Sequence, residues 1–334
     1  MSREADTFDD LYAKRQGSYV KEASDEDFLE GLNEYLAPRE HELYGDYPID
    51  QPLIFVVGAP RSGTTLLSQL LAYCLDVGYI DNFTARFWLA PVHGLRLSRL
   101  IVGGPQPGAF ESEYARTSRP TDIHEFGYFW RRWLNKHTFE DVVHAAEHEE
   151  GIDWPGLRLT LANIQHELGR PLVAKNMLGA YHMPRLRREL GPVIFVCIER
   201  DPLDACISIL DARRKYYSDP GAWWSYVPVE YEQLKDLDAW EQVAGQVHYL
   251  GAYYDRELSA LGVDAAIRVT YEDLCRDPAG ILQRVASTAA DTYGSRIGVR
   301  TEPPASFPFR AYTDRDADKA RFAELLAGLQ AGRG

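Results

Sequence analysis

Leu53 to Val57 and Val193 to Ile198 are unbroken apolar runs, the pattern of strands buried on both faces. Pro171 to Lys175 and Ala265 to Tyr271 are shorter runs of the same kind, and Asp81 stands at a return to a strand end. Helical spacing fills the intervals. Leu66, Leu67, Leu70 and Leu71 follow the first run. Phe126, Phe129, Trp130, Trp133 and Leu134 share one helical face, with Asp122 and Glu125 spaced for a capping box. Residues 140 to 170 read as helix again, and a helix from Arg185 ends at a Gly191 C-cap. Asp201 and Pro202 open another as N-cap and first-turn residue, and a last core helix runs from Pro278 to about Ala290. Strands alternating with helices predict an α/β fold, a three-layer parallel β-sheet flanked by helices with helical insertions. Residues 6 to 45 predict two polar helices; in the second, Phe28, Leu29, Leu32, Tyr35 and Leu36 form one face, the mark of a packing or partner-contact appendage. The organisation predicted is one domain over residues 1–334. It has an appendage at 1–50, a core at 51–290 with insertions at 92–170 and 211–260, and a C-terminal Pro-rich loop and helix at 291–334.

Composition narrows the classes. A chain of 334 residues with 45% apolar content can bury a sizeable core. Its net charge of −14 argues against nucleic acid as a partner, so a polyanionic ligand needs a local cationic pocket. No apolar run approaches the roughly 20 residues of a membrane span, and residues 1 to 30 carry no apolar signal core. Cys74, Cys197, Cys206 and Cys275 are scattered without metal-ligand spacing, as expected of buried free thiols in the cytoplasm.

The candidate chemistry begins where the first run breaks. Gly58-x4-Gly63-Thr64-Thr65 between a strand and a helix has the spacing of a phosphate-binding loop, which aims backbone N–H groups at an anion. The triphosphatase motif has Lys where this chain has Thr64, and the cation of this loop is Arg61. Ligands of parallel sheets sit at the strands' C-terminal ends, which places the loop, Lys175, Arg200 and Tyr271 in one site. Residues 215 to 256 are rich in Tyr and Trp; a helical subdomain with an aromatic core and a wall for an apolar, aromatic or sugar-like ligand are both open. The loop Val102 to Gly108 is long enough for a lid or substrate loop.

Three separated motifs, spanning roughly residues 52 to 290, resemble the sulfotransferases that use 3′-phosphoadenosine 5′-phosphosulfate, members of the P-loop nucleotide-binding type. Pro60-Arg61-Ser62-Gly63-Thr64-Thr65 is similar to the family's 5′-phosphosulfate loop. Arg200, with Ser208 eight residues on, is similar to its 3′-phosphate motif, and Tyr271-Glu-Asp to the segment whose Tyr contacts adenine. The resemblance implies sulfuryl transfer to a hydroxyl or amine of a small acceptor, aromatic, glycosidic or lipid-like. The product is 3′,5′-adenosine bisphosphate and no metal is required. Arg61 without a Lys–Ser/Thr pair suits that donor, which has no β,γ-phosphates to chelate Mg²⁺.

The general base is where this chain departs from its relatives. The cytosolic branch reads Lys-Thr-His, and here the aligned run is Lys175-Asn176-Met177, closer to a broad bacterial branch. Lys175 is assigned to the bridging oxygen or the leaving phosphate. The base candidates are Glu125 and His124, at the start of the aromatic helix, then Asp81 and His182, the latter read also as a helix-surface residue. Two other readings stay open, a P-loop kinase or nucleoside triphosphatase using ATP–Mg²⁺ and a non-catalytic nucleotide-binding protein, as does a homodimer.

Overall fold

The computed structural model describes residues 7–106, 108–112, 117–262, 264–312 and 315–332. Its centre is a sheet of β1 (Leu53–Val57), β2 (Gly78–Tyr79), β3 (Leu172–Lys175), β4 (Val193–Glu199) and β5 (Ala266–Thr270), ordered β2-β3-β1-β4-β5 with every pairing parallel. The continuous apolar runs are explained by burial on both faces. Successive side chains of a strand alternate between faces: Leu53, Phe55 and Val57 pack with Phe129, Trp130 and Leu157. Ile54 and Val56 pack instead with Leu67, Leu70 and Leu71 of the helix Thr64–Cys74 and with Leu282 and Val285 of the helix Pro278–Tyr293. The three-layer α/β fold is therefore present. The register sets Val56 opposite Lys175, Val57 opposite Cys197 and Glu199 opposite Thr270, so the segments leaving β1, β3, β4 and β5 emerge along one edge.

Several local expectations hold. Asp201 caps the helix Pro202–Tyr217 by accepting the Asp204 N–H at 3.0 Å, and Gly191 ends the helix Met183–Leu190 at φ 85°. All four cysteines are free and buried. Among the described residues no helix is long and apolar enough to cross a membrane.

Others change. The capping box of Asp122 and Glu125 does not form. The helix there is Gly127–Trp133, its N-cap Phe126 lies at φ 57°, and Asp122 instead accepts from Arg119 (2.8 Å) and the Tyr73 hydroxyl (3.2 Å). Residues 140 to 170 split into Phe139–Val143 and Trp154–Leu168, because Asp153 caps a new helix with Pro155 in its first turn. Of the loop 102–108, Pro107 lies outside the described residues, and Gln106 is tied down by the Tyr79 hydroxyl at 2.7 Å. The two N-terminal helices are Phe8–Ala13 and Ala23–Glu42. The second does not dock by its apolar face: Phe28 and Tyr35 are 68% and 76% exposed, whereas Asn33 and Glu40 are buried. Glu40 accepts the Val92 and His93 N–H groups at 2.7 and 3.2 Å, at the N-terminus of the helix Pro91–Ile101, where a carboxylate complements free N–H groups.

Candidate active site

The loop after β1 is shaped by close approach. A Cβ on Gly58 would lie 2.4 Å from the Ile198 carbonyl oxygen, and one on Gly63, at φ 107°, would lie 2.8 Å from the Tyr271 ring. Both positions need glycine. Arg61 takes φ 68°, and its Nε donates to the Ser208 hydroxyl at 2.8 Å. Ser208, 1% exposed, thus holds the loop cation, which joins the first two motifs physically; its hydroxyl does not bond back along its own helix. Ser62 is also 1% exposed and its hydroxyl has no partner among the described residues. Such an orphan, in the turn that leads into a helix N-terminus, suits an anion.

Arg200 leaves β4 beside this loop. Its Nη1 donates to the Arg61 carbonyl at 3.2 Å, its guanidinium lies 4.5 Å over the Tyr271 ring, and its Nη2 donates to the Arg310 carbonyl. The nearest carboxylate, Asp204, is 3.9 Å away, too distant for a bidentate pair, and the buried Nε has no partner. Pro60, Gly63, Thr64 and Thr65 face the same cleft, as do Arg61, Arg200 and Tyr271. The cleft holds about 1250 Å³. This end of it, with two arginines, orphaned donors and glycines that let the backbone come close, fits a ligand with two separated anionic groups.

Lys175 ends β3 at 7% exposure. Its Nζ donates to Glu125 at 2.9 Å and to the Thr65 hydroxyl at 3.5 Å, tying the loop to a carboxylate across the cleft. Glu125 is free to do so because it caps nothing, and its side chain is 42% exposed. His124 also faces the cleft; its Nδ1 accepts the Phe126 N–H at 2.8 Å. An apolar void of about 10 Å³ lined by Ile80, Phe126 and Phe129 lies beside the ring, which is itself exposed to the cleft. Enclosure by the cleft walls, with Lys175, Lys21 and Arg86 nearby, lowers its pKa from the ordinary imidazole value against the pull of Glu125.

Two base candidates are corrected. Asp81 is fully buried, and its oxygens accept from the Thr84 N–H at 2.7 Å and the Ser98 hydroxyl at 2.5 Å, so it builds a turn instead of facing the cleft. His182 is no helix-surface residue: it is 0% exposed, bonded to Glu149 at 2.9 Å, and burial beside Lys136 lowers its pKa to about 3.

Sequence patterning missed two walls. The C-terminal loop contributes Phe307, Arg310 and Tyr312 to the end near Arg200. The N-terminal appendage contributes Lys21 and Glu26, which meet at 2.6 Å and both bond the Tyr128 hydroxyl at 2.7 Å. The Pro- and aromatic-rich 302–312 stretch carried a signal for the first; nothing local marked the second. In the aromatic region Trp223, Tyr231 and Tyr254 are core; Tyr216 and Tyr217, buried with Tyr19, and Trp224 also border the cleft. Tyr226 does both: it lines the cleft, and its hydroxyl donates to the Gly58 carbonyl, fixing the start of the loop.

No curated protein matches the sequence. The fold is similar to sulfotransferase STF1 from Mycobacterium tuberculosis H37Rv, at 14% identity and TM-score 0.47 over 90% of this chain and 81% of that one. It is also similar to sulfotransferase STF9 from Mycobacterium avium, at 17% identity and TM-score 0.47 over 89% and 72%. A sulfotransferase from Alicyclobacillus acidocaldarius aligns at 16% identity and TM-score 0.38 over 84% and 95%. The family model described as the sulfotransferase family matches residues 52–289, the stretch that builds the sheet and the phosphate-binding loop, and the chain belongs to that family of sulfuryl-transferring enzymes.

Proposed function

We propose that the protein transfers a sulfuryl group from 3′-phosphoadenosine 5′-phosphosulfate to the hydroxyl of a small acceptor. The observation that carries this reading is the gathering in one cleft of Arg61, held from behind by the buried Ser208, of Arg200 over Tyr271, and of Lys175 bonded to Glu125. Arg200 would hold the 3′-phosphate over Tyr271, and the loop from Pro60 to Thr65 would hold the 5′-phosphosulfate, with Ser62 and the helix N-terminus as donors. The donor, when bound, supplies an activated sulfuryl group whose S–O bond to phosphate breaks as the acceptor oxygen bonds to sulfur. Glu125 takes the acceptor's proton, and Lys175 stabilises the charge left on the bridging oxygen. Lys175 stands between Thr65 and Glu125, so it bridges the donor loop and the base. The wall of Tyr216, Tyr217 and Trp224 supports an acceptor with an apolar or aromatic body.

The test has two steps. Thermal stabilisation by 3′,5′-adenosine bisphosphate without Mg²⁺ is expected, and a response to ATP–Mg²⁺ alone would sink the donor assignment. Transfer of labelled sulfate to a panel of phenols, alcohols and sugars then identifies the acceptor class. With an acceptor in hand, Glu125→Gln is expected to lose about 10²–10⁴-fold in kcat with bisphosphate binding retained; near-normal turnover would remove Glu125 as the base.

A further inference from the structure

His124 and Glu125 are neighbours in the chain, face one cleft and differ in what their hydrogen bonds leave available. Glu125 is an acceptor held by Lys175 at 2.9 Å. The Nδ1 lone pair of His124 is engaged by the Phe126 N–H at 2.8 Å, a contact fixed by the left-handed turn at Phe126, φ 57°. A ring nitrogen that accepts an N–H cannot carry the proton of the neutral imidazole, which must therefore sit on Nε2. Nε2 makes no hydrogen bond to any described residue, and the ring lines the cleft. The charged groups facing the ring are Lys175 from β3, Lys21 from the N-terminal segment, Arg86 from the turn after β2, and Glu125. Three cations against one carboxylate oppose a second proton.

We propose that His124 is a second catalytic residue of the transfer, a fixed neutral hydrogen-bond donor whose Nε2–H holds a non-bridging oxygen of the sulfuryl group in line. It is not a base. This rests on the reading of the cleft as a sulfuryl-transfer site. A donor aimed at the acceptor oxygen would lower its nucleophilicity, whereas sulfuryl oxygens only accept and gain from a donor. Glu125 takes the acceptor's proton as the O–S bond forms and the bridging oxygen departs with the bonding pair on the phosphate; His124 ends with the proton it began with. The constellation resembles, in principle, the neutral histidine electrophiles that act beside a carboxylate base.

The test reads the ring directly. Long-range ¹H–¹⁵N spectra of the whole protein with labelled histidine, assigned with His124→Gln, are expected to show the Nε2–H tautomer with no titration between pH 5 and 8. An Nδ1–H tautomer, or a midpoint near the ordinary 6.5, would overturn the inference. Activity supplies a second arm. His124→Gln keeps a donor without a base at neutral pH and is expected to stay within about tenfold of wild-type kcat, while His124→Phe loses about 10²–10³-fold, the range for one lost transition-state donor. Equal losses in the two variants would overturn it, provided both retain stabilisation by the bisphosphate as proof of folding. Failure of the wild-type protein to bind the bisphosphate would sink the sulfuryl-transfer reading itself, whatever the tautomer.

Discussion

His182 lies 0% exposed against Glu149, and its neutral ring is enforced by burial beside Lys136, itself pushed down to about 8. Its folded pKa of about 3 lies below the ordinary 6.5, so across that interval the unfolded chain binds a proton the folded one refuses. Stability therefore falls as pH drops from 6.5 toward 3, by about 1.4 kcal/mol per pH unit for this one proton. Urea midpoints between pH 4.5 and 7 should fall less steeply in His182→Asn than in wild type; parallel slopes would show that the ring is not held neutral. Asp81 teaches a related lesson. A carboxylate near the end of a strand looks like a base in sequence, yet its worth depends on whether its lone pairs are free. In Asp81 the Thr84 N–H and the Ser98 hydroxyl engage both oxygens, whereas Glu125 accepts from Lys175 and keeps a side chain 42% exposed.

Elements are joined here by polar contacts as much as by apolar faces. The helix Ala23–Glu42 carries a row of apolar residues but docks through Asn33 and Glu40. Asn33 bridges the Arg86 carbonyl and the Leu89 N–H, both at 2.8 Å, and Glu40 caps the helix Pro91–Ile101. Periodicity located this helix and left its docking contacts unnamed, because hydrophobic spacing carries no information about a distant helix terminus that lacks acceptors. Glu40→Ala leaves buried N–H groups and His93 without their partner. It is expected to cost about 2–4 kcal/mol by urea unfolding, and Glu40→Gln less, since the amide oxygen still accepts. A change within 0.5 kcal/mol would show that the cap is dispensable. Since Asn33 on the same helix fixes the turn that carries Arg86 and Trp88, loosening it should also raise the KM for acceptor. The absent capping box at Asp122 is the converse case. The spacing was right, but Arg119 and Tyr73 compete for the same carboxylate and leave Glu125 to the cleft.

At the scale of the molecule, an acidic chain gathers Arg61, Lys175, Arg200 and Arg310 around one cleft. Its two halves come from different parts of the sequence. The sheet edge and the C-terminal loop build the half around Arg200. The N-terminal segment, through Lys21 and Glu26 on Tyr128, walls the half near His124 and Glu125. The halves should therefore respond separately. Arg200→Ala is expected to weaken bisphosphate binding by about 10–100-fold, the worth of a charge-assisted contact of 1.5–3 kcal/mol. Lys21→Ala and Trp88→Ala should raise the KM for acceptor several-fold and leave the bisphosphate affinity within about twofold. Calorimetry with the bisphosphate, set against acceptor kinetics, checks the division; coupled losses in both ligands would refute it.

The sequence by itself determined the sheet, because strands buried on both faces must be written as continuous apolar runs. It also determined the donor loop, because a backbone that approaches β4 and Tyr271 so closely admits only glycine at Gly58 and Gly63. The first constraint acts on every residue of a run and the second falls on glycines at a fixed spacing after a strand, so both leave a local pattern even though Ile198 and Tyr271, which crowd those glycines, are distant in the chain. That Glu125 would meet Lys175, that Ser208 would hold Arg61, and that the two ends of the chain would wall the cleft were decided only by the tertiary structure. Each depends on a single polar contact across tens to hundreds of residues, as in the bond from Arg61 to Ser208, 147 positions apart. Such a contact repeats with no period and is fixed by what burial leaves without a partner.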